Sequence, residues 1–171
     1  MNTIFPAIRS YFVVAMVLFL FGSLTTSCKS KGGTDPDIDP RDQYVGAYVG
    51  GEKGYQSVIA IGTLQFNPEF GPTNITVSKS SNPKEIYIES PNQSLKVTAE
   101  LNGENFTVID KNSNQIFVPP NNNYTGSYKA TGVFGKDQAS GKLAFVLTAT
   151  TETLKDGTAI RKVETYNGTK K

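Results

Sequence analysis

Cys28 is the residue of this sequence best suited to covalent chemistry, because it is the only cysteine and the chain contains no histidine. A thiol can be alkylated, whereas the missing imidazole removes the commonest general base and the commonest zinc ligand. A lone exposed thiol is a liability in an exported protein unless a covalent group occupies it. We therefore expect Cys28 to be modified rather than catalytic.

The residues in front of Cys28 have the order of an export signal. Arg9 precedes a fourteen-residue apolar run, Tyr11 to Leu24, and three small polar residues at 25–27 follow it. A membrane-spanning helix needs about 20 apolar residues, so the run has the length of a signal-peptide core instead. With the cysteine directly after it, the pattern resembles the lipobox of bacterial lipoprotein signal peptides.

The lipobox resemblance implies a signal peptide over residues 1–27 and cleavage between Ser27 and Cys28. Cys28 would then carry a diacylglycerol thioether and an N-acyl chain such as palmitate, and two or three acyl chains hold a protein on a bilayer effectively for good. Lys29, in place of aspartate, resembles the sorting signal for the outer membrane of the cell envelope, with the periplasmic face favoured over the cell surface. A plain secretory signal and an uncleaved anchor are the alternatives.

Residues 28–42 are predicted to be the lipidated amino terminus and a flexible tether, since glycine, proline and charge dominate them and no apolar pattern repeats. Aspartates alternate at positions 35, 37 and 39, as they do in calcium loops. An EF-hand loop also needs glycine at its sixth position and glutamate at its twelfth, where this chain has Pro40 and Gly46. No metal and no other cofactor is predicted.

Composition argues against catalysis and against nucleic-acid binding. Seventeen basic and fifteen acidic residues nearly cancel without a basic cluster, which disfavours a nucleic-acid partner. Without histidine or an available thiol, catalysis would depend on carboxylates, lysine or tyrosine. No paired spacing singles out two of the carboxylates Glu69, Glu89, Glu100, Glu104 and Asp110. We therefore predict that the protein is not an enzyme.

Residues 43–171 are predicted to form a single all-β domain. Leu95 to Leu101 alternate apolar and polar residues, and Asn102-Gly103 suits a hairpin turn into a strand containing Phe106. Further strand-like runs cover residues 44–50, 57–66, 74–78, 85–89, 124–134, 142–148 and 159–166, with 115–118 as an additional short strand. No stretch of ten residues has a helical apolar period.

Eight or nine short strands with short connections predict an antiparallel up-and-down meander that closes into a small barrel, with a β-sandwich as the alternative. Asn67-Pro68 and Gly71-Pro72 are among the expected breaks between strands. The motif Tyr44-Val-Gly-Ala-Tyr48 recurs at Tyr124–Tyr128 and, more weakly, at Tyr166–Thr169. We interpret its glycine as a point of close strand approach that tyrosines fill, and a duplicated tyrosine-lined binding element is the alternative.

The lipobox, the short tether, the opening Asp42-Gln-Tyr-Val-Gly-Ala-Tyr48 and the alternating strands resemble small lipocalin-like lipoproteins of Bacteroidota. The likeness covers nearly the whole mature chain, by pattern more than by identity. It implies a barrel that holds one apolar ligand. It also implies that a late basic residue, Arg161 or Lys162, packs over the aromatic ring of the first strand, here Tyr48.

Two functions remain open for a protein held on the membrane by its lipid. The first is a non-catalytic binding module whose barrel holds a small hydrophobic ligand. Its lining would come from Ile59, Ile61, Leu64, Phe66, Ile86, Ile88, Phe106, Phe117, Phe145 and Leu147. The second is docking of an envelope protein or polysaccharide on the outer face, through exposed Tyr55, Tyr87 and Tyr124.

Overall fold

The structure, a computed structural model, describes residues 38–171, so the predicted signal, Cys28 and most of the predicted tether lie outside the described residues. Nine strands follow one another: β1 Gly46–Ile61, β2 Leu64–Lys79, β3 Glu85–Ser90, β4 Leu95–Asn102, β5 Asn105–Val108, β6 Ser113–Val118, β7 Asn122–Lys136, β8 Leu143–Lys155 and β9 Thr158–Lys170. One turn of 3-10 helix, Pro91–Gln93, separates β3 from β4. No helix within this range is long and apolar enough to cross a bilayer.

The strands close into an antiparallel up-and-down barrel. Eight of them are hydrogen-bonded in the order β5-β4-β3-β2-β1-β9-β8-β7, and β5 pairs with β7 to complete the ring. The predicted barrel is therefore confirmed, and the sandwich alternative is not formed. The ninth strand, β6, pairs with the first half of β7 over Asn122–Ser127, whereas β5 uses only Thr131–Val133 in its second half.

Local sequence signals placed some strand ends correctly and others wrongly. The hairpin from β4 to β5 is confirmed, with Gly103 in the left-handed conformation at its turn. The predicted run 57–66 is wrong because a turn at Gly62, also left-handed, divides it between β1 and β2. The predicted breaks at Pro68 and Pro72 are wrong as well, since both lie inside β2. β2 pairs with β3 only over Thr76–Lys79, so a proline before that point removes no hydrogen bond to a second neighbour.

We call the part of the barrel in which β3, β4 and β5 complete the ring the closed half. Aromatic side chains fill it. Tyr48, Phe106, Phe134 and Phe145 are almost fully buried, with ring centroids 5.1 to 5.9 Å apart. A Cβ at position 132 would overlap the Phe106 ring and the backbone carbonyl of Val146, so only glycine fits beside that ring. These rings pack against one another in the interior of this half.

The folded domain begins before the predicted boundary at residue 43. Arg41 is only 7% exposed, and its guanidinium donates to the backbone oxygens of Ser80, Asn82 and Glu85 at 2.7–2.9 Å. The same guanidinium pairs with Asp39 at 2.7 Å, and these contacts hold the pKa of the Asp39 carboxyl well below its usual range. The last residues of the predicted tether are thus fixed to the turn between β2 and β3.

The other half of the barrel wall is incomplete because three strands end early. β3, β4 and β5 have six, eight and four residues, whereas β1 and β2 have sixteen each. We call the part that β1, β2, β7, β8 and β9 form beyond the closed half the open half. A second, smaller apolar cluster lies there, formed by Ile59 of β1, Ile160 of β9 and Ile116 of β6.

Candidate functional site

A polar cavity lies between the aromatic core and the smaller apolar cluster. Along β9 the inward residues change from Ile160 in the small cluster, through Lys162 and Glu164, to Tyr166 in the main core. The cavity has a volume of about 140 Å³. It is lined by Gln93, Ser94, Leu95, Lys111, Asn114, Gln115, Tyr128, Lys162, Glu164 and Tyr166.

Small side chains beside Glu164 leave room for this cavity. Glu164 pairs in register with Ser57 of β1 on one side and with Ala149 of β8 on the other, and Ala149 pairs with Ala130 of β7. Serine and alanine extend little into a barrel that aromatic rings fill elsewhere. The position of the cavity therefore follows from the residue types on three neighbouring strands.

Glu164 is the centre of a buried hydrogen-bond group. Its side chain is 8% exposed, and its Oε1 atom lies 2.9 Å from the Lys162 ammonium nitrogen. The same oxygen accepts hydrogen bonds from the hydroxyls of Tyr55 at 3.0 Å and Tyr166 at 3.3 Å. The carboxylate is thus held by one cation and two phenols, which is the arrangement that makes a buried charge tolerable.

The tyrosines around Glu164 are held in the protonated form. Burial raises the pKa of Tyr55, Tyr128 and Tyr166 far above the ordinary value, and the nearby Glu164 charge raises each of them further. The hydroxyls of Tyr55 and Tyr166 therefore donate to Glu164 at physiological pH, and the hydroxyl of Tyr128 keeps its proton.

Two buried hydroxyls next to this group lack a hydrogen-bond partner among residues 38–171. They belong to Tyr128, 4% exposed, and Thr151, which is fully buried. Both occupy one row of the sheet, because Tyr128 pairs with Thr151 and Thr151 pairs with Lys162. A buried polar group without a partner costs about 1–3 kcal/mol, and such groups call for an explanation. Tyr128 lines the cavity, but its hydroxyl oxygen has less than 1 Å² of accessible surface.

Lys111 lies at the rim of the cavity, in the connection between β5 and β6. Its side-chain nitrogen is 4.7 Å from the centroid of the Tyr128 ring, a cation–π distance. Lys111 makes no ion pair within the described part of the chain, whereas Lys162 is paired with Glu164. The cavity therefore combines a compensated ion pair with one uncompensated cation.

The predicted apolar lining separates into three groups. Ile86, Ile88, Phe106, Phe145 and Leu147 point inward but pack against one another in the filled core, with at most 2% exposed. Ile59 and Ile61 belong to the smaller cluster in the open half. Leu64, Phe66 and Phe117 were placed wrongly, since they are 63%, 39% and 55% exposed. The interior cavity beside this core is polar rather than apolar.

Only one of the three tyrosines predicted to be exposed is exposed in the structure. Tyr87 on β3 is 41% exposed, as expected. Tyr55 is half-buried and bonded to Glu164, and Tyr124 is half-buried against the smaller apolar cluster. Both were expected in exposed loops, but they lie on the inward face of long strands.

The basic residue expected over Tyr48 is not found there. Arg161 is exposed, and Lys162 faces the cavity and pairs with Glu164. The Tyr48 ring packs instead against Phe134 and Phe145, and its hydroxyl donates to the Tyr44 carbonyl at 2.6 Å. The late basic residue Lys162 therefore contacts Glu164 at the cavity and does not pack over Tyr48 in the closed half.

Sequence reasoning missed Glu164, the central residue of the site. The carboxylates it considered are half-buried or exposed, and two of them have local partners: Glu89 with Lys96 and Asp110 with the backbone amide of Thr98. The period-two pattern of β9 contained the signal, because Glu164 shares a face with Ile160 and Tyr166. In the described residues no group of three or more acidic side chains is arranged to hold a metal ion.

Two larger depressions are open grooves on the outer surface. One, of about 410 Å³, crosses β5, β7 and β8, and the other, of about 340 Å³, crosses β1, β8 and β9. Exposed or half-buried residues form most of both linings. Neither groove contains a charged group buried with its partner, in contrast to the cavity at Glu164.

Comparison with protein-family models, with curated proteins and with solved structures finds no match to this chain. The class that the fold defines is a closed antiparallel up-and-down β-barrel of eight strands with an additional strand. Any function must therefore be argued from the site itself.

Proposed function

We propose that the protein is an envelope lipoprotein, anchored through lipidated Cys28, whose barrel is a non-catalytic binding module for a small polar molecule. The observation that carries the binding role is the cavity at Glu164, with a buried ion pair in its wall. The anchor rests on the sequence from Arg9 to Cys28.

The size and polarity of the cavity favour a polar ligand over the apolar one suggested by the lipocalin-like resemblance. About 140 Å³ corresponds to the volume of about five water molecules and is below the roughly 300 Å³ at which drug-sized pockets begin. An acyl chain would also place apolar groups against a buried ion pair, which is unfavourable.

The chain enters the barrel at the end opposite the open half. Arg41 fixes the entering segment beside the turn between β2 and β3, and β1 then runs sixteen residues towards the open half. Gly46 pairs with Val77, and Ser57, beside Glu164, pairs with Glu69. The distance from the chain entry to the cavity is therefore about eight residues of β2, or about 26 Å at about 3.3 Å per residue. An anchor at Cys28 would therefore hold the barrel by its closed end and leave the cavity accessible.

Docking of an envelope protein or polysaccharide is the second candidate. One observation favours it: Leu64 and Phe70, on the part of β2 without a second neighbour, are 63% and 56% exposed. Unpaired edges with apolar side chains are common sites of strand addition.

Fractionation tests the anchor. We expect the full chain, expressed in a bacterial host, to sediment with the outer membrane, and Cys28→Ser to appear in the soluble fraction. Ser27→Ala is the matched control, because it keeps a small residue before the cut and leaves the thiol in place. A Cys28→Ser protein that still sediments with membranes would refute the lipid anchor.

Tyrosine-selective NMR tests the binding role on protein purified in detergent. The chain has eight tyrosines, two of which line the cavity. Addition of lactate, lactamide or glucose should shift the signals of Tyr128 and Tyr166 saturably and leave exposed Tyr87 unchanged. If none of these polar probes shifts the cavity tyrosines, the binding proposal fails. Crosslinking in intact envelopes to one recurrent protein partner would then support docking.

A further inference from the structure

We propose that the ligand of the cavity is a small singly charged carboxylate, bound by the Lys111 ammonium. This inference rests on the proposed binding function and specifies its ligand class. It is argued from the charges that face the cavity, from the hydrogen-bond donors left over, and from the space.

The charges around the cavity leave one positive charge without an ion-pair partner among residues 38–171. Lys162 and Glu164 neutralise each other at 2.9 Å, and Glu164 is further satisfied by two tyrosine hydroxyls. Lys111 is the other charged residue in the lining. The neighbouring Asp110 is exposed, and its carboxylate accepts the backbone amide of Thr98 at 2.7 Å. A ligand that enters between these groups is therefore favoured if it carries a negative charge.

The donors that remain for a ligand point to the same group. Gln93 donates its side-chain amide to the Pro72 carbonyl, and Gln115 donates to the Thr125 hydroxyl. The Tyr128 hydroxyl has almost no accessible surface, whereas the Lys111 nitrogen lies over the Tyr128 ring, 4.7 Å from its centroid. The Lys111 ammonium is therefore left to donate charge-assisted hydrogen bonds to a ligand carboxylate.

The ion pair limits the charge that the ligand can carry. Glu164 lines the same space, so a second negative charge on the ligand would face its carboxylate in a partly desolvated site. One negative charge matches one uncompensated lysine, whereas a dianion such as phosphate does not. A volume of about 140 Å³ further restricts the carboxylate to a small molecule.

The test compares lactate with lactamide, which has nearly the same shape but no charge, and with inorganic phosphate. Binding to the detergent-purified full chain is followed by the tyrosine NMR signals. We expect lactate to bind at least about tenfold more tightly than lactamide or phosphate, because its carboxylate forms charge-assisted hydrogen bonds. Lys111→Met should weaken lactate binding about tenfold.

Matched controls separate these effects from general changes of charge or fold. Lys129→Met removes a lysine from the outer face of the same strand, next to Tyr128, and Tyr87→Phe removes an exposed hydroxyl. Both should leave lactate binding unchanged. The variants should also keep the far-ultraviolet circular dichroism of the parent barrel.

The outcomes distinguish failure of this inference from failure of the proposed function. If lactamide or glucose shifts Tyr128 and Tyr166 as strongly as lactate does, the cavity binds polar molecules but the carboxylate assignment is overturned. Tighter binding of phosphate, or lactate binding insensitive to Lys111→Met, overturns it as well. If no probe shifts the cavity tyrosines, the inference and the binding function both fail.

Discussion

The ion pair between Lys162 and Glu164 provides the sharpest test of how the site is built. The perturbation is a double-mutant cycle of Lys162→Met, Glu164→Gln and the two combined. Lys162→Met leaves a carboxylate that is 8% exposed with only two phenols, so we expect a loss of about 3 kcal/mol in the free energy of unfolding. Glu164→Gln leaves a lysine whose side chain is 20% exposed, and its cost should be smaller, about 1–2 kcal/mol.

The combined variant should cost clearly less than the sum of the two single changes. With both charges removed, no buried charge is left without a partner, so we expect a total loss of about 2 kcal/mol and a coupling energy of about 2–3 kcal/mol. Urea unfolding of the detergent-purified chain, followed by circular dichroism because the chain has no tryptophan, measures each corner of the cycle.

An exposed ion pair with the same geometry serves as the control. Lys96 and Glu89 are also 2.9 Å apart, but their side chains are 84% and 43% exposed. The cycle of Lys96→Met and Glu89→Gln should be additive, since solvent screens such pairs. If the effects of Lys162→Met and Glu164→Gln are also additive within about 0.5 kcal/mol, burial does not couple these two side chains energetically and the reasoning is refuted.

Three further changes test other features of the barrel. Thr151→Val removes a buried hydroxyl that has no partner among the described residues, so urea unfolding should show a gain of about 1 kcal/mol; a loss would mean that the hydroxyl has an unseen partner. Gly132→Ala should destabilise by about 3 kcal/mol or more, since a backbone carbonyl cannot move aside, whereas Gly135→Ala, with open space around its Cβ, should not. Asp39 has a lowered pKa in the folded state, so its contribution is present above the unfolded value of about 4 and is lost as the pH falls further. Asp39→Asn should therefore flatten the decline of melting temperature between pH 5 and pH 2, and an unchanged decline would show that the contact with Arg41 does not contribute.

How much of this structure the sequence could predict depends on how local the deciding contacts are. The hairpin from β4 to β5 was predictable because its alternation and its Asn102-Gly103 turn lie within a few residues of each other. The continuity of β2 through Pro68 was not, because it depends on β3 ending before it reaches that part of β2.

The candidate site shows the same limit more strongly. Period two places Lys162 and Glu164 on the face of β9 that also carries Ile160 and Tyr166. The cavity itself exists because Ser57 and Ala149, about a hundred residues apart in the chain, flank Glu164 in register. Such long-range pairings cannot be read from the periodicity of one strand. The recurring motif, as it stands at Tyr124–Tyr128, is consistent with both of its interpretations: a Cβ at Gly126 would lie 2.7 Å from the Glu152 carbonyl oxygen, and Tyr128, two residues further on, lines the cavity.

The unequal lengths of the strands explain why this barrel has a polar site at all. An eight-stranded barrel is just wide enough to be filled by its own side chains, and the closed half, with its packed aromatic rings, follows that rule. Space can arise only where the ring stops closing, which is where β3, β4 and β5 end and β6 takes their place beside β7. There the inward positions of β1, β8 and β9 no longer face a complete wall, so Lys162 and Glu164 can be retained without being sealed in apolar surroundings. The same early ending brings Lys111, in the connection from β5 to β6, to the rim opposite them. A variant barrel in which β5 continued along β7 in place of β6 should therefore lose the cavity and, with it, any binding at Tyr128.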